Sequence, residues 1–363
     1  MTPQTSRRWK PIPVIFTILI HISILSVCCG STDLPGEESN IFRVTDSPNR
    51  KFLKIGLDHL LGTEDNFKLF VQKYNKEYAD SEEYAHRLGV FAANLVRAAE
   101  HQALDPTAIH GITPFMDLTE EEFQRIGLDG RPDHEEDNVL AEEEVMDTSG
   151  LPEYFDWREK GAVTDVKMQG ACGSCWAFST TGAVEGAHFI ATGKLLNLSE
   201  QQLKEKEACD KGCGGGLMTN AYRYLIKAGG LQDEASYPYT GKKGECKFDP
   251  EKVAVRVANF STISLDENQI AAHLVQHGPL AVGLNAVFMQ TYLGGVSCPL
   301  ICGKKWINHG VLLVGYGSRG FSPYWIIKNS WGEHWGEAGY YRVCRGYGMC
   351  GVNRMVSAVV TTA

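Results

Sequence analysis

Beyond its first 30 residues the chain has no apolar run long enough to cross a bilayer, which argues against a stable membrane anchor. It has no internal repeat and no low-complexity tract. It also lacks a basic excess: 35 Lys and Arg stand against 44 Asp and Glu, a formal net charge of −9, so nucleic acid is not the expected partner. Lys and Arg are missing altogether from residues 133–147, where Asp133, Glu135, Glu136, Asp137, Glu142, Glu143, Glu144 and Asp147 gather. Such a stretch reads as a solvated linker and a natural cleavage site.

What remains suits a globular protein with a sizeable core: 363 residues, 43% hydrophobic and 22% charged. Arg7, Arg8 and Lys10 precede an apolar run from Pro11 to Val27 that ends near Cys28, Cys29 and Gly30. A basic start, an apolar middle and small residues predict a signal peptide over residues 1–30, hence the secretory pathway. Two of the 11 cysteines fall at its end, leaving nine: one free thiol beside eight paired ones.

Residues 64–102 carry helical spacing. Phe67, Phe70, Val71 and Tyr74 share one face, as do Glu83, Arg87, Phe91, Asn94, Ala98 and Gln102. After Leu151, Gly, Trp and Cys become frequent. Cys175 to Thr192 contains no Pro and reads as a helix ended by Gly193. Strands are predicted at 253–260, 280–284, 311–316, 324–328 and 340–343. The fold class is therefore α+β, with two lobes, behind a helical segment.

The sharpest local signal is Gln169-Gly-Ala-Cys172-Gly-Ser-Cys175-Trp176. It fits a redox pair, half a zinc site, or a structural Cys followed by a nucleophile at a helix start. Chemistry favours the last, because a helix N-terminus stabilises the thiolate that makes sulfur nucleophilic. A nucleophilic Cys needs a base, and the base needs an orienting group. His309 abuts a glycine and an apolar strand 134 residues after Cys175, and Asn329 follows 154 residues after it, just before Ser330, Trp331 and Gly332. An amide oxygen can hold an imidazole as a carboxylate does in a serine triad, and Trp331 can shield that bond from water. Taken singly, His309 is as readily structural and Asn329 a turn residue.

Together these segments resemble the papain family of cysteine proteases, in the clan of cathepsins L and F. The face from Glu83 to Gln102 resembles the interspersed prosegment motif of cathepsin F-type enzymes, and Gly111 to Asp117 the second prosegment motif. The closest likeness is to the dehydration-responsive plant cathepsin F-like group. The resemblance implies a papain-like two-lobe fold, a helical lobe plus a β-barrel-like lobe, preceded by an inhibitory prosegment. It divides the chain into signal peptide 1–30, propeptide 31–147 (helical inhibitor part about 64–125, then the acidic linker) and peptidase domain 148–363.

The same resemblance assigns roles. Cys175 attacks the scissile carbonyl, His309 exchanges the proton, Asn329 holds His309, and the Gln169 amide with the Cys175 N–H forms the oxyanion hole. Gly215 and Gly216 expose backbone for an extended substrate. Leu217, Met218, Gly283, Gly310 and Met355 line the pocket for the residue two before the cut (P2), and Asn308 and Trp331 complete the substrate site. That pocket is expected to take Leu, Val or Phe and to reject Arg. The resemblance implies the disulfides Cys172–Cys213 and Cys302–Cys350, and parity of the remaining cysteines adds Cys298–Cys344 as an expected pair. Cys209–Cys246 substitutes for a family bridge whose usual partner, a Cys soon after Ser199 to Leu203, is missing here. Protein or peptide substrates, the chain's own propeptide and cystatin-type inhibitors are the implied partners, with no cofactor or metal, a monomeric state, and the vacuole, lysosome or extracellular space as destination. Asn197 is the preferred glycosylation sequon over Asn259. Acid is expected to neutralise prosegment and linker carboxylates and loosen the inhibitor. A catalytically dead paralogue and a transpeptidase acting through the same acyl-enzyme are the competing readings.

Overall fold

The computed structural model describes residues 62–127, 145–205, 211–242, 244–263, 265–320 and 322–362. The expected signal peptide, most of the acidic linker and Cys209 lie outside the described residues.

The prosegment forms helices α1 (Thr63–Lys73) and α2 (Ser81–Leu104), strand β1 (Ala108–His110) and helix α3 (Glu120–Arg125). The single helical stretch predicted over 64–102 is thus two helices. Asn75, at φ 48°, turns the chain out of α1, and Asp80 opens α2 by accepting hydrogen bonds from the Glu82 and Glu83 N–H groups. Phe67, Phe70 and Phe91 form an aromatic knot with centroids 5.1–5.9 Å apart. The α2 face picked out by its spacing also grips the chain that follows. Asn94 Nδ2 donates to the Met116 and Leu118 carbonyls at 2.9 and 2.8 Å. Arg87 binds the Asp117 carbonyl and both Glu122 carboxylate oxygens.

The rest comprises β2 (Phe155–Asp156), α4 (Cys175–Thr192), α5 (Glu200–Glu205), α6 (Met218–Ala228), β3 (Leu231–Gln232), β4 (Val253–Val255), β5 (Val257–Thr262), α7 (Glu267–His277), β6 (Leu280–Leu284), β7 (Tyr292–Gly295), β8 (His309–Arg319), β9 (Ser322–Lys328), β10 (Tyr340–Cys344) and β11 (Met355–Thr361). The main sheet runs β10-β9-β8-β6-β11-β5, with β2 on β8. Its described pairings are antiparallel. The strand expected at 253–260 is divided at Arg256: β4 pairs with β3 and β5 with β11. Strand β8 begins at His309 itself, two residues earlier than expected.

Helix α4 has the predicted span, with Gly193 as a left-handed cap at φ 73°. It is buried on every side from Cys175 to His188, because β8 and β11 pack on it along with α6. A Cβ at Gly182 would lie 2.7 Å from Leu312 of β8, so the absent side chain lets helix and sheet approach. One apolar core surrounds α4 and α6, and a second fills the sheet lobe. The second core also takes in Ala108, Phe123 and Ile126, so the prosegment contributes to the enzyme lobe it covers. Among the described residues no helix is long and apolar enough to cross a membrane.

Candidate active site

Cys175 is the first residue of α4 and His309 the first of β8. Gly310 joins these elements. Its N–H donates to Cys175 Sγ at 3.4 Å, and a Cβ on it would lie 3.2 Å from the Trp176 backbone. A side chain there would push the strand off the helix and the imidazole away from the sulfur.

His309 Nε2 lies 2.8 Å from Asn329 Oδ1, which also accepts the Ser330 N–H. An amide oxygen already accepting a backbone N–H is fixed as acceptor, so Nε2 carries the proton and Nδ1 is the basic nitrogen. His309 Nδ1 is buried without a hydrogen-bond partner. Trp331 stacks on the imidazole at 4.5 Å and 24° and seals it from water.

Gln169 is held at both ends of its amide. Oε1 accepts from Ser330 Oγ at 2.6 Å, so Nε2 must face the other way. It donates to the Cys172 carbonyl at 2.8 Å and to the Ile126 carbonyl of the prosegment at 2.7 Å. The Tyr239 hydroxyl, bonded to Ser174 Oγ, donates to the Gln169 carbonyl at 2.9 Å. Ser330, Tyr239 and Ser174 were not singled out from the sequence. Ser330, next to Asn329, and Ser174, next to Cys175, had positions to suggest them; Tyr239 had none.

The prosegment closes the site. Phe115 and Phe123 meet Trp331 edge-on at 4.8 and 5.4 Å. A Cβ at Gly173 would come within 2.9 Å of the Arg125 and Gly127 carbonyls, and one at Gly127 would collide with the Asn308 carbonyl. Residues 125–127 therefore run between the Cys172 side of the cleft and Asn308. Both reacting groups are fully enclosed in consequence. Burial pushes the Cys175 thiol up to about 12, opposed only by nearby backbone N–H groups, and pushes His309 down to about 4, opposed by Asn329. Enclosure thus disfavours the charged form of both groups, and the Gly310 N–H is among the backbone donors that act on the sulfur.

The expected P2 residues divide into two groups. Gly310, Gly283 and Met355 lie in one row across β8, β6 and β11. A Cβ at Gly283 would lie 2.7 Å from Ile307 and 2.8 Å from Met355 Sδ, so only a hydrogen fits between those side chains. Met218 is buried in the α4–α6 core, against which Met355 and Ile307 pack. Leu217, at the N-cap of α6, is half-buried, as is Gly216. Gly215 is buried at φ 101° and its carbonyl accepts from Lys211 N–H. Asn308 supports the wall by accepting the Ala286 N–H at 2.8 Å. Ile307, which packs against this row, was not singled out from the sequence.

Three of the expected disulfides are formed: Cys172–Cys213, Cys298–Cys344 and Cys302–Cys350. The fourth expected bridge, Cys209–Cys246, has one member, Cys209, outside the described residues; among those described Cys246 is an exposed free thiol. Asn197 is exposed in a loop, and Asn259 is exposed on β5.

Residues 151–360 match the model of the papain family cysteine proteases, and residues 67–123 that of the cathepsin propeptide inhibitor domain. The chain is 67% identical over 323 residues to an Arabidopsis thaliana protein named "Probable cysteine protease RD19D", covering 84% of this chain and 88% of the relative. It is 49% identical over 297 residues to mouse cathepsin F, covering 81% of this chain and 64% of that protein. Digestive procathepsin L2 from Tenebrio molitor larval midgut superposes with a TM-score of 0.75 at 33% identity, over 82% of this chain and 99% of that one. The chain belongs to the papain family of cysteine proteases and carries a cathepsin-type inhibitor prosegment ahead of its peptidase domain.

Proposed function

We propose that this chain is the secreted or vacuolar zymogen of an endopeptidase that prefers an apolar residue at P2, the second residue before the cut, with residues 148–363 as its mature domain. The observation that carries the reading is the Ile126 carbonyl on Gln169 Nε2: a peptide carbonyl already rests against the donor that an oxyanion would need.

Once the prosegment leaves, water reaches the cleft and the burial that disfavoured charge on both groups is relieved. The Cys175 proton moves to His309 Nδ1, giving thiolate and imidazolium, and Asn329 Oδ1 accepts from Nε2 and favours the charged ring. The thiolate attacks the scissile carbonyl carbon. The oxygen takes the negative charge and is met by Gln169 Nε2 and the Cys175 N–H. Collapse expels the amine, which leaves with the proton from His309, and a thioester on Cys175 remains. A water then gives a proton to His309, attacks the thioester, and releases the acid and the thiol.

The row Gly283, Gly310 and Met355, walled by Met218 and Ile307, supports a P2 pocket without charge. Leu217 at its rim, and Gly215 and Gly216 beside it, fit an extended substrate. The three disulfides suit an oxidising compartment, and Asn197 is available to a glycan.

The test is turnover of a P2-varied peptide set by the acid-matured chain, with products identified by mass spectrometry. Leu, Val and Phe at P2 are expected to be cut, with free carboxyl products. Best turnover with Arg at P2, or predominantly ligated products, would overturn the reading.

A further inference from the structure

We propose that His101, joined to His110 through Thr291 where prosegment and enzyme lobe meet, is the proton acceptor through which acid releases this inhibitor. The inference rests on the zymogen reading and names its trigger.

The joint is built from both partners. His101 projects from the last turn of α2, and His110 lies on β1, which pairs with β7 of the enzyme lobe. Their Nδ1 atoms share one hydroxyl, Thr291 Oγ1, at 2.7 and 2.9 Å. The rings are 5.6 Å apart, and His101 packs on Phe288 at 4.6 Å. His110 Nε2 meets Asp105 Oδ2 at 3.1 Å. The same Asp105 oxygen accepts from Ser297 Oγ at 2.5 Å, and the other, Oδ1, accepts from the Cys298 N–H at 2.7 Å. Tyr341 caps Ser297, and Tyr292 edges His110. The other charges around the joint are engaged elsewhere. Arg97 binds Asn94, Gln290 and Glu120, and Glu337 behind β7 binds Arg342 and the Gly295 N–H.

One hydroxyl between two ring nitrogens joins two neutral rings in relay, accepting from one and donating to the other. A charged His101 would instead lie buried against Phe288, beside the Arg97 guanidinium, with the Asp105 carboxylate already taken by His110. The closed joint therefore disfavours a proton on His101 that the ring accepts freely once it is in solvent.

Burial, then His110 and Arg97, push His101 down to about 3, whereas a free imidazole titrates near about 6.5. The folded value of this base is lowered, so closure is undiminished above about 6.5 and weakens as pH falls toward about 3. For that one proton, the opening constant rises about 75-fold between about pH 7 and about pH 4.5. The Arg87-paired carboxylate of the prosegment behaves differently. Glu122 is held down to about 2 by Arg87 and stays ionised through this range, so neutralising it is not the trigger.

The test uses the full chain made inert by Cys175→Ala, so that no cleavage intervenes. Opening is read by amide exchange across residues 81–104 and by tryptophan fluorescence, since Trp331 loses its contacts with Phe115 and Phe123 on release. The inert parent should open steeply between about pH 7 and 4.5, and H101Q should reduce that ratio at least about tenfold. An H101Q chain that opens more at every pH with the parent's ratio would overturn the proposal. If H101Q fails to fold, calorimetry of the inert parent in buffers of different ionisation enthalpy decides: proton uptake of about one or more on opening near pH 5.5 supports the joint, and uptake near zero overturns it. Failure of the wild-type mature enzyme to cut peptides would sink the protease reading alone, because the joint is tested in a chain that cannot react.

Discussion

Asn329→Ala separates orientation of the imidazole from its presence. Asn329 is buried, and its Oδ1 lies 2.8 Å from His309 Nε2. The substitution removes one acceptor and orphans the Ser330 N–H. The Trp331 ring still covers His309 at 4.5 Å, so the base stays in the site. A hydrogen bond to a charged ring is worth about 1.5–3 kcal/mol, so kcat/KM should fall about 10- to 160-fold, mostly in kcat. Asn329 raises the His309 value against burial, so its loss destabilises the imidazolium. The alkaline limb of the kcat/KM profile should therefore move to lower pH, by about one to two units. The assay is hydrolysis of a fluorogenic peptide with Leu or Phe at P2, by acid-matured enzyme from pH 4 to 9. A loss under about threefold with an unmoved alkaline limb would refute the orienting role; a loss as complete as that of Cys175→Ala would show that the residue is needed for folding of the site.

Gln169→Ala should lower kcat about 10²- to 10³-fold with KM within a few-fold, and should weaken prosegment inhibition too, because the same Nε2 binds the Ile126 carbonyl; inhibitor titration alongside kinetics checks both. Glu122→Gln removes the carboxylate that Arg87 grips, a partly exposed pair worth about 1 kcal/mol, and thermal unfolding of the inert precursor should show the loss equally at pH 7 and pH 5. The sign follows from the lowered Glu122 value: the pair's contribution is complete above its ordinary carboxylate range and disappears only as pH falls toward about 2. Cys246→Ser should leave Tm unchanged; a loss of about 2–4 kcal/mol would mean that this exposed thiol is bridged.

Much of the site was readable in the sequence because its residues come from strong local patterns. The stretch from Cys175 to Thr192 has no Pro and ends in Gly193, and the helix has those bounds. The Leu280–Leu284 run is a strand with those bounds, since a short apolar run between turn residues has little alternative. The Glu83–Gln102 face was placed correctly, but its meaning lay in what each side chain holds. The break between α1 and α2 was hidden because helical spacing resumes after Asp80, with Asn75 as the only local mark. Helices α6 and α7 have 11 residues each and carry polar side chains that look like loop until β5 and β11 pack on them. The contact that best explains inhibition, Ile126 on Gln169, uses a backbone oxygen, which has no sequence signature. The histidine joint was equally hidden, because Thr291 lies 181 residues from His110 and 190 from His101.

The most direct measurement is the mass and site of the adduct formed with the epoxide inhibitor E-64. Wild-type chain matured in acid should gain one adduct, mapped to Cys175; the same chain kept closed at neutral pH should gain almost none, and Cys175→Ala none at that peptide. Failure to label Cys175 once the prosegment has been removed, or labelling confined to the exposed Cys246, would contradict a caged Cys175–His309 pair as the reactive centre.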